Sequence, residues 1–172
     1  MTWDAYNRRM PVLREVLAAA DRRRDITVDE AFAIVPEAKN VFSDTVDLLL
    51  DAQMIWFQRL SGQMELQLSE GSNISPESTA IDAWQAAAAG MPGARALLDT
   101  NLRRPEMAKA LAHEHTFMAI AAGVPDEHPE LEARGRFVVE KARDTTVYYD
   151  DPRADGESTN GLMARLRHAL AA

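Results

Sequence analysis

Apolar side chains recur every three to four residues along most of this chain, the spacing of one helix face. Leu13, Val16, Leu17 and Ala20 form such a stripe in a first helix over residues 3–23, with Pro11 as a kink or restart point. The run from Asp21 to Asp25 ends it. Thr27-Val28-Asp29-Glu30 has capping-box spacing and opens a short helix. Ala31, Phe32, Ile34 and Val35 form its apolar side, and Pro36 stops it. Residues 37–42 are too few for a full helix with turns on both sides. Ser43 then reads as an N-cap, with Asp44 opposing the helix dipole. A helix over residues 44–70 follows, with Val46, Leu50, Met54 or Gln53, Phe57, Leu60 or Ser61, Met64 and Leu68 as its stripe. At 1.5 Å per residue it spans about 40 Å.

Gly71-Ser72-Asn73 breaks the pattern, and Ser75-Pro76-Glu77 restarts it with a cap, a proline at the first helical position and an acid in the first turn. That helix runs to Ala89. Further helices are predicted over residues 94–101, 105–122, 130–146 and 161–171, the last after a polar, acidic linker over residues 150–159. Alternation of period two is confined to residues 64–68, where it continues a longer helical stripe. The chain therefore reads as an all-α bundle of about seven to eight helices. Its expected organisation is a small head over residues 1–45 and a larger body over residues 46–172.

Composition narrows the function classes. With 172 residues the chain is one domain with at most a small appendage. Cysteine is absent, so no disulfide, thiolate metal site or thiol nucleophile exists. No apolar run reaches membrane length and no signal pattern opens the sequence, so the expected setting is cytoplasmic, away from membranes. The net charge is -8, which argues against a sequence-nonspecific DNA coat. Residues 1–60 hold 8 Lys and Arg against 10 Asp and Glu, and the remainder holds 11 against 17. The head is thus near neutral and the body acidic.

Catalytic chemistry has little foothold. His113-Glu114-His115 is the one dense group of potential metal ligands. Helical residues two apart point about 200° from each other, so the two histidines cannot grip one ion from the same side. No Glu-x-x-His, nucleophile elbow or phosphate loop occurs. The expectation is a protein that is not an enzyme and carries neither cofactor nor metal. Trp56, Phe57, Met64, Trp84, Met107, Phe117, Met118 and Phe137 are large apolar residues on the middle helices, candidates for core or for the lining of an apolar pocket.

The order of parts resembles the TetR family of transcriptional regulators. The similarity is carried by the helix over residues 10–23, the Thr27-capped helix, and Val41-Phe42-Ser43-Asp44-Thr45-Val46-Asp47-Leu48-Leu49-Leu50 opening a long helix. It continues in Ala83-Trp84-Gln85, Ala94-Arg95-Ala96-Leu97-Leu98, Arg104-Pro105-Glu106-Met107-Ala108 and Asp150-Asp151-Pro152 before a last Leu-rich helix. The resemblance implies a ligand-responsive regulator, a homodimer with a pocket for a small apolar ligand. It implies DNA contacts from Arg8, Arg9, Lys39 and Asn40. It also places a four-helix dimer interface on the last two helices, through Leu131, Gly135, Val138, Val139, Ala142, Leu162, Leu166 and Leu170. One departure bears on function. Only residues 34–42 stand where the recognition helix belongs, Pro36 interrupts them and no glycine marks the turn. DNA reading is therefore doubtful. The alternative is a helical dimer that binds a small molecule or a protein partner and has lost DNA reading.

Overall fold

The computed structural model describes residues 3–70 and 75–146, and among them every regular element is helical. Helix α1 spans Trp3–Arg22 and runs through Pro11 without restarting. Helix α2 (Val28–Ile34) opens with the predicted capping box. Thr27 Oγ1 accepts from the Glu30 amide at 3.2 Å, and Glu30 accepts from the Thr27 amide at 2.9 Å. Helix α3 (Ala38–Val41) is a single turn. Helix α4 (Thr45–Glu70) is the long one. Its cap is Asp44, whose Oδ1 accepts from the Asp47 amide at 2.8 Å, and not Ser43 as the sequence predicts. Ser43 instead donates its amide and hydroxyl to Asp47 Oδ2.

Helix α5 (Pro76–Gly90) starts on a Ser75–Ser78 capping box. Helix α6 (Pro92–Asp99) follows after one residue. A 3₁₀ turn at Pro105–Met107 leads into α7 (Ala108–Ala121), and α8 spans Leu131–Thr146. The all-α bundle expected from the sequence is what forms, with eight α-helices among the described residues. The predicted helix over residues 161–171, with Leu162, Leu166 and Leu170, lies outside the described residues.

Buried apolar residues from Met10 on α1 to Ala142 on α8 form one contiguous cluster. Helix α4 packs against α1, α5, α6 and α7, while α8 packs on α7 and α5. Two close approaches set this arrangement. Asp21 on α1 caps the start of α6, accepting from the Gly93 amide at 2.6 Å. On α8, Gly135 lies so near α7 that a Cβ there would sit 1.6 Å from the His115 carbonyl oxygen. Gly135 thus lets α8 approach another helix of the same chain, and Ala142 is buried with it.

Two glycine-to-alanine substitutions are therefore expected to act in opposite directions. Gly135→Ala forces α7 and α8 apart and should cost about 3 kcal/mol or more. Gly62→Ala, at an exposed position of α4 with nothing within 4 Å of the new methyl, should stabilise by about 0.5–1 kcal/mol. Urea unfolding midpoints of the two variants check both signs.

Candidate functional site

Where the resemblance implies a recognition helix, four residues make one turn of about 6 Å. Lys39 and Asn40 are exposed on that turn. Around them on α2, α3 and the start of α4 stand the exposed acids Asp29, Glu30, Glu37 and Asp44. Glu30 is held down to about 2, first by the Thr27 amide, then by the Thr27 hydroxyl and Arg23, so it stays ionised. Between residues 28 and 44 the exposed acids thus outnumber the single exposed Lys39, while Arg22, Arg23 and Arg24 stand exposed just before α2.

Arg9 is engaged elsewhere. Its Nε donates to Asp51 Oδ2 at 2.8 Å, and its two terminal nitrogens donate to the Asp47 carboxylate at 3.1 and 2.6 Å. Its guanidinium carbon lies 4.7 Å from the centre of the buried Phe42 ring. The side chain is only 15% exposed. Hydrogen bonding to Asp47 is the main cause that raises Arg9, and the same bond lowers Asp47. This bidentate clasp ties α1 to the first two turns of α4. It takes up one of the four predicted DNA contacts, whereas Arg8, Lys39 and Asn40 remain exposed.

The second cluster lies inside the body. Glu114 on α7 is 1% exposed, the most buried charged group among the described residues. Gln53 on α4 donates to its Oε2 at 2.6 Å, and the Trp84 indole on α5 donates to Oε1 at 3.1 Å. Arg95 on α6 places Nη1 at 3.5 Å from Oε1 and Nη2 at 3.0 Å from Asp99. The Arg95 guanidinium lies over the Trp56 ring at 4.6 Å and beside Trp84 at 5.7 Å. Arg143 on α8 closes the group, 2.9 Å from Asp99 and 5.6 Å from the Trp84 ring. Burial pushes the Glu114 carboxyl up, but Arg95, Gln53, Trp84 and a weaker pull from Trp56 outweigh it, and the net direction is down. Arg95 is held by charge and by the indole faces, since none of its three nitrogens makes a well-aligned hydrogen bond.

The three ligand candidates His113, Glu114 and His115 on α7 diverge. Glu114 faces the interior. His113 is exposed and stacks on Phe57, with ring centres 4.5 Å apart. His115 is half-buried, 4.0 Å from Glu132. Burial is the main cause that lowers His115, helped by Arg143 and Arg136 and opposed by Glu114 and Glu132. Among the described residues no group of three or more His, Cys, Asp or Glu side chains could hold a metal ion.

The predicted pocket residues separate into three environments. Trp56, Met64, Trp84, Met107 and Met118 are buried core, with Trp84 bonded to Glu114 and both indoles beside Arg95. The indoles meet edge to face at 5.5 Å. Phe57 and Phe117 are half-buried neighbours, with ring centres 5.1 Å apart. Phe137 is 61% exposed on α8. None of the eight lines the open cleft of about 330 Å³ between α1, α4 and Met91, which is bounded by Met10, Arg14, Leu17, Ala18, Asp21, Ile55, Gln58 and Met91.

Of the predicted dimer residues, Gly135, Val138, Val139 and Ala142 are buried within the chain, and Leu131 is half-buried. Their stripe is spent on α7 and α5. Sequence periodicity showed the stripe and could not show which helix would cover it. Apart from the i,i+4 spacing of Arg95 and Asp99, the roles of Gln53, Arg95 and Arg143 carried no local signal, because their partners lie up to 61 residues away.

No protein-family model, no curated protein and no solved structure matches this chain. No helix among the described residues is long and apolar enough to cross a membrane.

The two perturbed groups in this cluster give stability a signed dependence on pH. His115 is lowered from 6.5, so its contribution is full above that value and lost on acidification through the folded value. Glu114 is lowered from 4.5, so its contribution is full above 4.5 and lost as pH falls further. Unfolding free energy should fall in two stages below about pH 6.5. His115→Gln should flatten the upper stage and Glu114→Gln the lower. Urea titrations at about pH 7.5, 5.5 and 3.5 check this.

Proposed function

We propose that this chain is a TetR-like, ligand-responsive helical module whose head does not read DNA by itself, and which works by binding a small molecule or a protein partner. The observation that carries this reading is the head surface. Its would-be recognition helix is one turn, its Arg9 is committed to Asp47 and Asp51, and Lys39 is the one exposed cation between residues 28 and 44. Groove readout places several side chains of one helix against base edges, and phosphate binding needs uncommitted cations. A single turn supplies neither the length nor the charge.

The rest of the body supports the regulatory part of the reading. The head is not tethered loosely. Arg9 bonds it to α4, and Asp21 caps α6, so a ligand seated between α1 and α4 would act directly on both joints. A ligand shifts such a joint only as far as it prefers one arrangement over the other. A homodimer remains part of this proposal. Because the α8 stripe is covered inside the chain, a second copy would meet the outer face of α8, where Phe137 stands among Arg134, Glu140 and Lys141.

Fluorescence anisotropy with mixed-sequence duplex DNA tests the reading. At about 50 mM salt, where phosphate attraction is strong, no binding is expected at micromolar protein. Saturable binding that weakens steeply with salt and is lost in Lys39→Ala would instead establish a DNA-reading head.

A further inference from the structure

The cleft between α1, α4 and Met91 has an apolar floor and polar walls. Met10 and Leu17 on α1 are buried beneath it, and Ile55 on α4 and Met91 between α5 and α6 are half-buried along it. Its volume of about 330 Å³ lies at the small end of ligand sites, which suits a ligand of about ten heavy atoms. Three polar side chains border it: Arg14, Asp21 and Gln58.

Their commitments differ. Asp21 spends Oδ1 on the Gly93 amide. Arg14 is exposed and makes no hydrogen bond or ion pair with any described residue. One turn along α4 from Ile55, Arg59 lies across Gly90, with Nη2 2.7 Å from where a Cβ on Gly90 would stand. Arg59 is not among the residues that line the cleft, so Arg14 is its one lining cation. The apolar floor is thus bordered by one arginine, Arg14, without a partner among the described residues. The one carboxylate in the lining is already engaged.

Resting on the ligand-responsive reading, we infer that this cleft binds a small amphipathic carboxylate, its acid group on Arg14 and its apolar body on Met10, Leu17, Ile55 and Met91. An arginine fork matches a carboxylate with two parallel hydrogen bonds, and an alkyl or aryl body gains by displacing water from the apolar floor. A neutral ligand forgoes the charge pairing. A cation meets Arg14 as a like charge.

The test is a titration of the full ¹⁵N-labelled chain with octanoate, 1-octanol and octylamine, followed by amide shifts. Octanoate should saturate with a Kd of about 0.1–1 mM and shift the amides of α1, Ile55 and Gly93. Arg14→Gln, at an exposed position, should weaken octanoate binding about tenfold or more while leaving the helical spectrum unchanged. Ile55→Trp, which fills the cleft from its floor, should abolish it. Equal binding of octanol or octylamine, full affinity in Arg14→Gln, or no saturable shift at these amides would each overturn the assignment. Octanol binding at the same amides would overturn only the carboxylate chemistry, and the ligand-responsive reading would stand.

Discussion

One buried carboxylate organises the body of this protein. Glu114 has left water, and a lone ionised carboxylate in an apolar interior is several kcal/mol too costly to persist. The chain meets that cost with groups from three other helices: Gln53 on α4, Trp84 on α5 and Arg95 on α6. Arg95 then brings a second buried charge, which Asp99 and two indole faces balance. Asp99 in turn recruits Arg143 from α8. Apolar stripes tolerate sliding by a turn. This set of partners does not, because a slip of any one helix leaves a buried charge unpaired. The close contact at Gly135 belongs to the same logic, since it lowers α8 onto α7 and lets Arg143 reach the group.

That interior has a consequence for ligand binding. Trp56, Trp84, Met107 and Met118 read from sequence as residues that could line a central pocket. All four are buried, in line with the core alternative that the sequence also left open, and the two tryptophans face Arg95. The open space lies at the joint between α1 and α4, next to the Arg9 clasp and the Asp21 cap. A ligand there touches the head and the body together. In the head, Phe42 is buried and the Arg9 guanidinium folds over its ring.

Much of the fold was legible because its signals are local. The Thr27 and Ser75 capping boxes, the proline that opens α5 and the shortness of residues 37–42 depend on neighbours three or four residues apart. The site was less legible, because its partners are distant. Glu114 looked like one of three potential metal ligands, and spacing separated the two histidines from each other without saying that Glu114 faces inward. Arg9 looked like a phosphate contact, since nothing near it in sequence announces Asp47 and Asp51. The α8 stripe was assigned to a second copy of the chain, whereas α7 and α5 cover it. At α4 even a local expectation shifted by one residue, because Asp47 draws Ser43 away and leaves Asp44 to cap the helix.

A double-mutant cycle on Glu114 and Arg95 tests the organising role of this pair most directly, with Glu114→Leu, Arg95→Met and the double variant compared by urea unfolding. Each single substitution leaves one buried charge without its partner and should cost about 3 kcal/mol or more. The double variant removes both charges and should recover a large part of that loss, giving a coupling of about 2 kcal/mol or more. Losses that simply add, with coupling near zero, would show that Glu114 and Arg95 are independent passengers in an apolar core and would contradict the account.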